Sequence, residues 1–98
     1  MVVYGKEKLE SFSLKHAIAK KAIDRWIQII EEYTFKDFND LKTIFPTVDY
    51  VGNERYVFTL KGNDYRIITV IVFIGDVVVI RWVGTHAEYD KIKNCSTI

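Results

Sequence analysis

Residues 55–83 read RYVFTLKGNDYRIITVIVFIGDVVVIRWV, and the alternation and punctuation of this stretch decide the fold. Arg55 to Leu60 alternates Tyr56, Phe58 and Leu60 with Val57 and Thr59 before Gly62-Asn63 interrupts it. Tyr65 to Phe73 is almost wholly apolar, Gly75-Asp76 interrupts again, and Val77 to Val83 follows. β-Branched and aromatic runs bounded by Gly, Asn and Asp read as strands joined by tight turns. Asp49-Tyr50-Val51, running into Gly52-Asn53, adds a strand in front. Three successive hairpins give an antiparallel meander, and the unbroken apolar runs suit the sheet centre, covered on at least one face.

What covers it comes from the first half of the chain. Met1 to Tyr4 suits a short first strand ended by Gly5, and a short helix from Lys6 buries Leu9 and Phe12. Beyond Lys15, the positions Ile18, Ala22, Ile23, Trp26, Ile27, Ile30 and Tyr33 recur at intervals of three and four, an amphipathic helix ending near Tyr33. Its other face carries Lys20, Lys21, Asp24, Arg25, Gln28, Glu31 and Glu32. Alternating signs on such a face read as solubility and local ion pairs rather than as a binding patch. His16, at the break between the helices, receives the same structural reading. Thr34 or Asp37 caps a third helix that buries Phe38, Leu41 and Ile44 and stops at Pro46.

With 98 residues, a single domain over 1–98 is expected, and a hydrophobic content of 49% is enough to build its core. Cys95 has no partner for a disulfide or a cysteine-based zinc site, so a reducing, cytoplasmic setting is expected. No signal-peptide pattern is read, and neither apolar run is long enough to span a bilayer. Lys/Arg and Asp/Glu number eight and eight in residues 1–50, and six and five in residues 51–98. Bulk charge does not mark a nucleic-acid binder, so anion recognition has to come from local placement.

Local placement is what the meander supplies. Hairpin topology brings Lys61, Arg66 and the segment after Val83 to one end of the sheet and sends Arg55 to the other. A two-residue turn at Gly62-Asn63 pairs Thr59 with Arg66 and sets Lys61 on the same face. At the next hairpin a three-residue turn pairs Arg66 with Gly84 and leaves His86 beside it. A two-residue turn instead brings Thr85 and Arg81 to that face. Arg81 is either part of the site or a paired core arginine. In Gly84-Thr85-His86-Ala87-Glu88-Tyr89-Asp90-Lys91, Thr85 and Glu88 match a capping box, leaving His86 in the first turn of a short C-terminal helix and Tyr89 on roughly the same side. Asp90 is expected to face solvent. Arginine, lysine, histidine and tyrosine gathered in one place suit a phosphate: Arg66 as a fork, Lys61 and Lys91 as point charges, His86 and Tyr89 as proton-transfer groups. The carboxylate cluster of a metal-dependent nuclease is missing, so chemistry without metal or cofactor is expected.

These residues resemble a known family. The run Val51-Gly52-Asn53-Glu54-Arg55-Tyr56-Val57-Phe58 leading to Lys61-Gly62-Asn63-Asp64-Tyr65-Arg66, with Arg81-Trp82-Val83-Gly84-Thr85-His86-Ala87-Glu88-Tyr89-Asp90-Lys91, is similar to the HigB branch of the RelE-like toxins. The resemblance covers about residues 2–93. It implies an α+β, RelE-like fold: an N-terminal strand and helices on a mainly antiparallel four- to five-stranded sheet, with a short C-terminal helix. It implies a ribosome-dependent, metal-independent mRNA endonuclease that inhibits translation and is restrained by a cognate HigA-like helix-turn-helix antitoxin. In that chemistry the 2′-hydroxyl attacks the neighbouring phosphate. Arg66 takes the place of the family's phosphate-binding arginine, His86 that of its catalytic histidine and Tyr89 that of the nearby tyrosine. Lys61 matches a basic position found in many of these toxins. Many are strongly basic, whereas this chain is nearly neutral, which implies a weak grip on free RNA and cleavage where the ribosome presents the message. Either His86 or Tyr89 can be the base. The competing readings are a noncatalytic toxin-like domain that binds an antitoxin or the ribosome, and a small-molecule pocket between sheet and helices, which would take apolar groups that the core needs.

Overall fold

A computed structural model describes all residues from Met1 to Ile98. The meander forms as read: β2 (Asp49–Gly52), β3 (Arg55–Leu60), β4 (Tyr65–Val72) and β5 (Val77–Thr85) are antiparallel neighbours, and β1 (Val2–Tyr4) joins the edge of β5 in parallel. The order β1-β5-β4-β3-β2 leaves β4 in the middle. Three helices precede the hairpins: α1 (Lys6–Lys15), α2 (Lys20–Glu32) and α3 (Phe38–Ile44). The short α4 (His86–Asp90) follows β5 directly. No helix is long and apolar enough to cross a membrane.

Side chains of β3 and β4 alternate between the two faces of the sheet. Leu9, Ile23, Trp26, Ile30 and Leu41 from the helices meet Tyr56, Phe58, Leu60, Ile67, Ile71, Val78 and Ile80 in one core. Trp26 and Phe45 both set their rings edge-on to Phe58, an arrangement aromatic quadrupoles favour. Val57 and Ile68 are equally buried but point to the opposite face. That face is crossed by the last residues of the chain: Asn53 donates to the Ser96 carbonyl at 3.1 Å, and Arg81 Nε donates to the Ile98 carbonyl at 2.9 Å. Arg81 is exposed, so it is not a core arginine, and it serves as a tether.

The helices depart from the sequence reading in which side chains they bury. Residues Ala17–Ala19 form a 3-10 turn before α2, and this tighter winding shifts the helical phase. Ala19 is therefore fully buried and Ile18 is 70% exposed. At the far end α2 stops at Glu32 and leaves Tyr33 on the surface. Of the two caps the sequence offers for α3, Asp37 is the one used, accepting from the Asp40 amide at 3.0 Å, and Ile44 is 37% exposed.

The register at the β4–β5 hairpin decides the site. Val72 pairs with Val77 around a four-residue loop, a spacing that by itself would put Val83 opposite Arg66. A bulge intervenes: Ile68 pairs with Trp82 and Thr69 with Ile80, so Arg81 is the extra residue. Arg66 therefore stands opposite Gly84, the pairing expected of a three-residue turn but reached by another route.

Candidate active site

Arg66 is the anchor. Thr59 and Gly84 flank it on neighbouring strands, and all three point to the face crossed by the C-terminal segment. Only 8% of the residue is exposed, yet no carboxylate pairs with it. Its Nη1 donates to the Asn63 carbonyl at 2.8 Å and the Tyr65 carbonyl at 3.3 Å, and Nη2 reaches Asn63 Oδ1 at 3.5 Å. The Gly62-Asn63 turn thus aims the guanidinium without neutralising it, and Nε–H has no protein acceptor. Burying a charge is costly unless something opposite pairs with it, so an unpaired buried arginine is a standing site for an anion.

Tyr89 closes over this group. The guanidinium carbon lies 5.5 Å from the centre of its ring, and Trp82 flanks the ring at 6.3 Å. Trp82 lies flat across Gly84: a Cβ there would come within 2.4 Å of the indole and 3.0 Å of Glu88 Oε1. A glycine is needed because the indole occupies the space of a side chain. Burial, then contact with the Cys95 thiol and the negative charge of Asp49, push the Tyr89 phenol up to about 12, against a smaller opposing pull from Arg66. The phenol therefore stays protonated at neutral pH and can donate a hydrogen bond but is a poor base.

His86 opens α4. The capping box forms as read, with Glu88 Nα donating to Thr85 Oγ1 at 3.2 Å and the Thr85 amide donating to Glu88 Oε1 at 2.8 Å. Those bonds to Thr85 hold the Glu88 carboxyl below its ordinary range, with smaller help from the nearby charges of His16 and Lys91. The His86 amide donates to the Asp64 carbonyl at 2.9 Å, fastening α4 to the turn that aims Arg66. Its imidazole is half exposed, with Nε2 3.6 Å from Asp90 Oδ2. Asp90 is solvent-exposed as expected, but it also acts as the imidazole's carboxylate partner. The four-residue spacing of positions 86 and 90 was the available signal for that pairing.

The remaining candidates are elsewhere. Lys61 takes a left-handed backbone, φ 50°, that turns it out of the strand. It lines a groove with Ile18, Lys21, Ala22 and Arg25 on the helix side, not the Arg66 face where regular alternation would have placed it. Lys91 ends α4, exposed, and its charge is felt at Glu88. Arg55 lies at the far end as expected, bonded to the Asn53 carbonyl. His16 stacks on Phe12 at 4.2 Å and meets Tyr65 edge-on, a packing role, though its charge reaches Glu88. No three His, Cys, Asp or Glu side chains are grouped to hold a metal ion. None of the surface concavities is lined by Arg66, His86 or Tyr89.

Comparison with known proteins identifies the family. Residues 19–92 match the profile of the HigB toxin family, described as the RelE-like toxic component of a toxin-antitoxin system. The chain belongs to the HigB toxin family. Among HigB relatives, the mRNA interferase toxin HigB of Escherichia coli strain K12 is 33% identical over 89 residues, which are 89% of this chain and 74% of that one. The mRNA interferase HigB of Escherichia coli O6:H1 is 29% identical over 94 residues, 94% of this chain and 91% of that one. The matched span of the HigB profile contains Arg66, His86, Tyr89 and Lys61 and stops short of the Cys95–Ile98 cover.

Proposed function

We propose that this HigB-family chain is an mRNA interferase, an endoribonuclease that cuts messages on the ribosome, acts in the cytoplasm and is restrained by a HigA-like antitoxin. The observation that carries the reading is Arg66: a nearly buried, unpaired guanidinium aimed by backbone carbonyls and roofed by a tyrosine, with a histidine–carboxylate pair on the adjoining helix. Relatives named mRNA interferases support the reaction.

The chemistry follows from what each group can do. The ribose 2′-oxygen bonds to the adjacent phosphorus as the bond to the 5′-oxygen breaks, leaving a 2′,3′-cyclic phosphate and a 5′-hydroxyl. Charge builds on the non-bridging oxygens, and Arg66 is placed to neutralise it. A proton leaves the 2′-hydroxyl and another reaches the 5′-oxygen; His86 carries this traffic, with Asp90 beside its Nε2. Tyr89, kept protonated, holds the guanidinium in place and donates a hydrogen bond to the ribose or phosphate.

Two alanine variants test this. Arg66→Ala should lose on the order of 10²–10³ in cutting rate, and His86→Ala about 10²–10⁴. Both proteins should stay folded and still bind antitoxin. Primer extension on a translated message should show discrete new 5′ ends for the parent protein and none for either variant. Undiminished growth arrest in both variants would overturn the assignment.

A further inference from the structure

The cations of α2 divide into two groups with different surroundings. Lys20 is spent within the helix, 2.7 Å from Asp24. Lys21 and Arg25, one turn apart and about 6 Å along the axis, have no carboxylate partner and line an open groove of about 410 Å³ together with Lys61 from the β3–β4 turn. Ile18 and Ala22 form the groove floor, and this is where the 3-10 turn has left Ile18 70% exposed. In a chain of net charge +1, three unpaired cations around an apolar floor are a local concentration.

We propose that this groove is a track for the message strand next to the cut. Single-stranded RNA presents both complements: phosphates for Lys21, Arg25 and Lys61, and flat base faces for the floor that Ile18 and Ala22 provide. Continuity with the turn that holds Arg66 favours a nucleic-acid strand over an acidic peptide. The groove also adjoins the site, because Lys61 begins the turn whose Asn63 carbonyl holds Arg66. A strand whose scissile phosphate sits on Arg66 rounds the end of the sheet over that turn and comes down on α2. The inference rests on the ribonuclease reading for the strand's origin, but its test does not depend on cutting.

The experiment uses the full chain and RNA oligonucleotides with a 2′-deoxy sugar at the cleavage position, lengthened on one side at a time. Binding is followed by fluorescence anisotropy across a series of potassium chloride concentrations. For the parent chain, affinity should climb with length on one side only. Lys21→Ala with Arg25→Ala should remove that climb and lower the slope of log affinity against log salt by about 1.4, two phosphate contacts at 0.7 each. Both residues are exposed, so the variant should fold, and antitoxin capture should be unchanged. An unaltered slope and length dependence overturns the track. So does a variant that keeps its RNA affinity and loses the antitoxin, which would make the groove a protein-docking face. A chain that shows the track yet leaves translated messages intact would instead sink the ribonuclease reading.

Discussion

At the scale of single residues, the site depends on what surrounds Tyr89. The phenol is held up to about 12 mainly by burial, so its ring rather than its proton affinity is what Arg66 uses. Tyr89→Phe keeps the ring and should stay within about tenfold of the parent rate, whereas a true general base would cost about 10²–10⁴-fold on removal. Tyr89→Ala, which removes the roof, should fall well below Tyr89→Phe. Single-turnover cleavage of a message programmed on ribosomes would rank the three. Arg66, His86 and Tyr89 were legible as candidates because arginine, imidazole and phenol at one sheet end make chemical sense together. The ring–guanidinium stack was not legible, since Tyr89 sits among neighbours such as Arg66, Cys95 and Asp49 that come from different parts of the chain. Asp90 was legible in its spacing, but its exposure suggested a solvent role only.

At the scale of elements, the clearest sequence signals were those with local causes. Gly-Asn and Gly-Asp turns, the Asp37 cap and the Thr85–Glu88 box each involve residues within a few positions of one another, and all formed. What the sequence hid were shifts of phase: the 3-10 turn that exchanges Ile18 for Ala19, the left-handed Lys61 and the bulge at Arg81. None of the three is marked by an apolar period or a turn residue at the position concerned. The capping box also makes a pH prediction. Bonds to Thr85 depress the Glu88 carboxyl, so its stabilising effect is complete above the ordinary carboxylate range, near 4.5, and is lost as pH falls through the depressed value. Glu88→Gln keeps the reach back to the Thr85 amide but not the charge. Thermal unfolding followed over a pH series should show the parent more stable at neutral pH, and the two curves should converge in acid.

At the scale of the molecule, the sheet has two unlike covers. Helices and an apolar core fill one face, while the other holds Arg66, Tyr89 and a thin strap, residues 91–98, tied down by Asn53 and Arg81. Because that strap supplies much of what raises Tyr89, truncation after Asn94 should bring its ionisation down from about 12 towards an ordinary phenol. Ultraviolet titration of the parent, the truncated chain and Tyr89→Phe would assign the step. The helical cover, by contrast, should be indifferent to the loss. The bulge ties these levels together when sequence change is considered. The four-residue loop sets one reading frame for the β4–β5 ladder, and Arg81 is a single-residue insertion that shifts the ladder into another, the frame in which Trp82 and Gly84 face Arg66. A one-residue change in the length of that hairpin would keep the site only by moving or absorbing the odd residue, so loop length and bulge together set where Arg66 faces.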